Sequence, residues 1–164
     1  MSKVVATLKF TGVISLGLLT GIHLNFSTST LSSILTLASA PQAQRAFSVS
    51  LGLLRQVTRP LEVAASGVLV AAWWFAGKGG RHPYLLLTAA VPLVARLVEG
   101  ARLSAVEAEV VSVETEGRGR GGVEVNGEVV RGGLERWRRW GLVRGGLLGM
   151  GFAMGVVGIW GDGA

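Results

Sequence analysis

Four stretches of this chain approach the length and apolarity needed to cross a bilayer, and this limits the folds open to it more than any other feature. A hydrocarbon core of about 30 Å takes roughly 20 mostly apolar helical residues. The stretches cover about residues 10–31, 61–76, 83–98 and 142–160. The first is the most polar, rich in Ser and Thr and carrying His23 and Asn25. The second ends in Trp73, Trp74 and Phe75, and Pro60 marks a bend before it. The third contains Pro92 and has Arg96 near its end, and the fourth is broken only by Arg144. Any one of them also fits a helix buried in a water-soluble core. Composition argues against that reading for the set. Charged residues make up 16% of the chain, where an ordinary soluble domain has roughly 25%. Mean hydropathy is +0.50. The predicted fold is all-α: one integral membrane bundle of about four transmembrane helices, with a polar loop before the last helix.

The flanks agree. Trp73, Trp74, Tyr84, Trp137, Trp140 and Trp160 fall at segment ends, where amphipathic rings favour the headgroup region. The net charge of +6 comes mostly from arginines beside apolar segments, without the interleaved stacking aromatics of a nucleic-acid groove. The expected partner is the lipid bilayer, not nucleic acid. The basic start at Lys3 and Lys9 and the small-x-small run Ala38-Ser39-Ala40 resemble a cleavable signal. The stretch between them is too long and too rich in hydroxyls for one, so it is read as a span. Four spans put both termini on one side. Arg45, Arg55 and Arg59 then share the other side with the arginines of the long loop, which the positive-inside rule places in the cytosol.

The stretch 103–133 differs in kind, with six glutamates and the run Gly117-Arg118-Gly119-Arg120-Gly121-Gly122. Alternation over Val111–Glu116 and Val123–Val129 is compatible with a hairpin. The glycine and charge content favours a flexible polar loop, with the third helix extending as far as Val113.

Candidate chemistry is sparse. His23 and His82 are far apart and lack carboxylates at helical spacing, so no metal site is read. The glycine run lacks the Gly-Lys-Ser/Thr ending of a phosphate loop. The absence of cysteine excludes thiolate chemistry. No cofactor and no catalytic set is expected. Charges at membrane depth are costly and usually paired. Arg96 and Glu99, three apart, share a helix face. Arg144 has two readings: pairing with Glu99 or Glu62 between helices, or all of these groups lying at span ends and reaching outward. Gly141, Gly145 and Gly149, then Gly151 and Gly155, and Gly17 with Gly21, repeat at four-residue spacing. Such repeats let helix backbones approach closely, within one chain or in a homo-oligomer.

At Arg81-His82-Pro83-Tyr84-Leu85-Leu86, followed by Ala89-Ala90-Val91-Pro92-Leu93, the chain resembles the fungal autophagy-related protein 33 family of mitophagy factors. The closing Gly151-Phe152 and Val156–Gly163, and Lys9 with Gly12–Leu18 near the start, are similar to the same family. The resemblance implies a multi-pass protein of the mitochondrial outer membrane, without enzyme activity, acting in selective removal of mitochondria. It implies contact with the autophagy machinery, for which the 103–133 loop is the available segment. That loop is shorter and richer in arginine and glycine than the resemblance leads one to expect. The competing classes are a small membrane enzyme or transporter, whose candidate polar residues would be His23, Asn25 and Arg96, and a membrane scaffold.

Overall fold

The computed structural model describes residues 3–119 and 127–161. It contains four helical rods. The first joins α1 (Lys3–Asn25), a π-helical turn (Phe26–Thr30) and α2 (Leu31–Leu35). Several of its hydroxyls are compatible with a membrane interior because they bond back within the helix. Ser15, Thr20 and Thr28 donate to the carbonyls of Thr11, Leu16 and Leu24 at 2.8, 2.8 and 2.7 Å. Chain reversal at 36–39 ends in an extended Ser39, and Pro41 starts α3 (Ala40–Phe75) in the first turn, where its missing N–H costs nothing.

α3 is a single rod of 36 residues with Pro60 inside. Gly77, at φ +67°, turns the chain into the one-turn α4 (Gly77–Gly80). A side chain at that φ would be strained. His82 is extended and Pro83 opens α5 (Pro83–Val98). A second π-helical turn (Glu99–Leu103) carries the rod into α6 (Ser104–Gly119), and α7 (Gly127–Gly161) closes the bundle. Each helix packs on its chain neighbours, and α7 returns to α1.

Among the described residues three helices are long and apolar enough to cross a membrane: Lys3–Leu35, Pro83–Val111 and Gly127–Gly161. The second rod, expected as a span over 61–76, is not among them. Arg59, Glu62 and the tryptophan pair lower its hydropathy. It nevertheless runs beside the others, with Leu69 packed where a Cβ on Gly12 would stand. Its exposed Val63, Val70 and Trp74 continue the apolar belt formed by Leu18, Leu93 and Met150 on its neighbours.

The rods are longer than a bilayer is thick. At 1.5 Å per residue α3 spans about 54 Å, against a hydrocarbon core of about 30 Å. The interior divides accordingly. One core, around Leu16, Leu69, Leu85 and Leu148, lies between the apolar outer faces. The other, around Phe26, Phe47, Val110, Leu134 and Trp137, fills the overrun. Trp140 and Trp160 stand about 30 Å apart along α7. Arg102 covers Trp140 at 5.1 Å, and Arg81 covers Trp73 at 4.9 Å, so a cation and an aromatic ring mark each end of the apolar layer.

The stretch expected as a polar loop over 103–133 is helical wherever it is described, as α6 and the start of α7. Leu103, Val106 and Val110 explain the difference. They recur at helical spacing and bury against Val130 and Leu134. The glycine-rich centre from 120 to 126, with half of the suggested hairpin, lies outside the described residues.

Candidate functional site

Polar side chains from every rod meet between the two cores. Arg144 of α7, 4% exposed at its side chain, donates from Nη2 to Glu62 Oε1 on α3 at 2.5 Å. Its Nη1 lies 2.9 Å from Glu99 Oε2 at the start of the second π turn. Arg55 Nε donates to Glu99 Oε1 at 3.0 Å, and its Nη2 reaches Glu107 Oε2 on α6 at 2.6 Å. Glu107 Oε1 accepts from Trp137 Nε1 at 3.0 Å. His23 of α1 brings Nε2 to 3.8 Å from Glu62 Oε1, too far for a hydrogen bond. The run Glu62–Arg144–Glu99–Arg55–Glu107–Trp137 therefore alternates in sign and crosses three rods, with His23 beside it from the fourth.

Arg144 is one turn inside Trp140, about 6 Å along the helix. The layer thus sits at the inner edge of the apolar zone, where desolvation of each charge is expensive unless it is paired. Pairing here links distant parts of the chain and fixes their relative depth. A one-turn slide of α7 would separate Arg144 from both carboxylates. Arg144 and Arg55 pair with the three carboxylates, and Glu62 Oε2 is left buried without a hydrogen-bond partner among the described residues. Among the described residues no three His, Cys, Asp or Glu gather as a metal site. The arrangement acts as a lock between helices.

Arg96 and Glu99, expected on one helix face, stand three apart on backbone that is still α-helical, with the Glu99 N–H bonded to the Ala95 carbonyl, but their side chains meet different surroundings. Glu99 turns inward to Arg55 and Arg144, whereas Arg96 is exposed and makes no hydrogen bond or ion pair among the described residues. Arg55, Glu107 and Trp137 were not anticipated as partners. Their contacts join residues far apart in sequence, which no single segment shows.

The glycines divide between two uses. A Cβ at Gly141 would meet Ser27 and Trp137, and one at Gly145 would stand 2.8 Å from Leu24. At Gly149 it would be 3.2 Å from Thr20, at Gly151 2.8 Å from Val91, and at Gly155 2.6 Å from Val13. A Cβ at Gly17 would lie 2.9 Å from Phe152. These positions are occupied by packing within the chain. Gly21, grouped with them by spacing, has open space around it.

Arg81, His82, Pro83 and Tyr84 form the corner at the opposite end. Arg81 lies over Trp73 and Trp74, His82 stacks on Tyr84 at 6.0 Å, and Tyr84 sits against Gly158. Lys9 approaches the Tyr84 ring to 5.7 Å. The corner ties α3, α5, α7 and α1 together at the end of the bundle opposite the charge layer.

A family model described as "Autophagy-related protein 33" matches residues 1–116. A protein of Gibberella zeae with that name is 32% identical over 183 residues, covering 98% of this chain and 92% of the relative. No solved structure matches.

Proposed function

We propose that this chain, which belongs to the autophagy-related protein 33 family, is a multi-pass protein of the mitochondrial outer membrane that serves selective autophagy of mitochondria without catalysing a reaction. Family membership supports the autophagic role. The three membrane-length apolar helices support the multi-pass reading. The observation that carries the mechanism is the overrun of the rods beyond the apolar layer on the arginine side. There α6, the first turns of α7 and the N-terminal half of α3 build a helical projection around Phe47 and Trp137.

This projection replaces the loop as the surface offered to the autophagy machinery. The buried charge layer holds it at a set height and orientation above the bilayer, so that a partner meets a rigid helical surface. Its exposed edge is mixed in charge: Arg136 pairs with Glu109 at 2.7 Å and Arg131 with Glu135 at 3.4 Å.

Protease treatment of intact mitochondria from cells making a tagged full-length chain tests the reading. The expected result is mitochondrial protein that resists carbonate extraction and is cut from outside between α6 and α7. Residence in another membrane, or protection of that segment in intact mitochondria, would refute the address and orientation.

A further inference from the structure

An open groove of about 360 Å³ runs between α3 and α5 on the lipid-facing side. Val63, Gly67, Val70, Pro92 and Leu93 form its apolar wall, and Glu62, Ser66 and Arg96 form its polar end. From residue 62 to residue 70 it extends about 12 Å along the membrane normal, from the charge layer toward the bilayer centre. Its apolar part is therefore at acyl-chain depth and its polar part just beneath the headgroups.

Three polar groups there are unused. Glu62 is 3% exposed; Oε1 accepts from Arg144, while Oε2 is buried with no hydrogen-bond partner. Ser66 Oγ is likewise buried without a partner. Arg96 is exposed at a depth where a lone charge is costly, with no ion pair among the described residues. A buried acceptor without a donor costs its full desolvation penalty unless a ligand supplies one. The groove thus asks for a molecule with an apolar tail, an anionic group for Arg96 and an N–H donor for Glu62.

We propose that the groove binds a phospholipid with a phosphoethanolamine headgroup. The phosphate meets Arg96, the ammonium donates to Glu62 Oε2, Ser66 donates to an ester carbonyl, and one acyl chain lies along Val63, Gly67, Val70 and Leu93. Choline has no N–H to donate, and the added carboxylate of phosphoserine would face Glu62. The site consequently discriminates among headgroups, beyond the non-specific solvation of an apolar belt. The inference rests on the membrane-spanning reading and is independent of the autophagic role.

The test is native mass spectrometry of the full-length protein from nanodiscs holding equal amounts of phosphatidylethanolamine and phosphatidylcholine. Retained phosphatidylethanolamine should exceed phosphatidylcholine by about tenfold or more, the ratio expected from one charge-assisted hydrogen bond. Arg96→Leu should lower retention of both lipids, because both carry the phosphate that Arg96 meets. Gly67→Leu should block the groove while leaving helicity intact, because a Cβ at Gly67 meets nothing within 4 Å. Equal retention of the two lipids by the unaltered protein would overturn the proposal. So would a Gly67→Leu protein, folded by circular dichroism, that retains phosphatidylethanolamine as well as the unaltered chain, or preferential retention of a lipid without an amine.

Discussion

Arg144→Leu should be among the most damaging single substitutions in the chain. The guanidinium makes two charge-assisted contacts, 2.5 Å to Glu62 and 2.9 Å to Glu99. Each hydrogen bond to a charged group is worth about 1.5–3 kcal/mol. Removing one partner of a buried pair typically costs about 3–5 kcal/mol, because the other charge remains without compensation. Glu99 retains Arg55 at 3.0 Å, so the loss falls mainly on Glu62, which is left with His23 at 3.8 Å. We expect a loss of about 3–5 kcal/mol, read as a shift in the midpoint of denaturing-detergent unfolding followed by circular dichroism. Adding Glu62→Leu to Arg144→Leu should recover most of it, since a hydrophobic pair of similar volume can replace a buried ion pair. An Arg144→Leu protein within about 1 kcal/mol of the unaltered chain would show that these side chains reach solvent or headgroups instead of locking the helices.

Other substitutions probe the packing. Gly155→Leu should destabilise by at least about 1–3 kcal/mol through overpacking against Val13. Gly146→Ala, in open space on the same helix, should be neutral or stabilise by up to about 1 kcal/mol; the same unfolding assay compares them. Trp137→Ala should cost about 3–5 kcal/mol, because it empties the contacts with Phe26 and Phe47 at 5.1 and 5.8 Å and strips Glu107 of a donor. Gly77→Ala should cost about 1–2 kcal/mol at the α3–α5 corner, where φ is +67°; a drop in melting temperature checks it.

Much of the architecture is legible in the sequence because the bilayer imposes a coarse and strong rule. Length, apolarity and flanking aromatics suffice to place spans over about 10–31, 83–98 and 142–160, which lie within the longer Lys3–Leu35, Pro83–Val111 and Gly127–Gly161 helices. The second rod reads less clearly because Glu62 lowers its hydropathy, and only three-dimensional packing supplies Arg144 beside it. The α6 segment was obscured by glutamates and glycines that outweigh Leu103, Val106 and Val110, whose helical spacing matters once α7 is present to cover them. The charge layer depends on features that no single-segment reading contains. Arg144 meets Glu62 across 82 residues of chain, and Arg55 meets Glu107 across 52. Glycine spacing identified close approach on α7, but not which side chain fills each notch, and Gly21 shares the spacing without the neighbour.

The most direct test of the account is the rate of mitochondrial delivery to the vacuole, measured with a matrix-targeted reporter in fungal cells that lack this chain and in the same cells after its restoration. The account predicts that delivery falls without the chain and recovers with it, while starvation-induced bulk autophagy continues unchanged. Undiminished delivery of the reporter in the absence of the chain would contradict it.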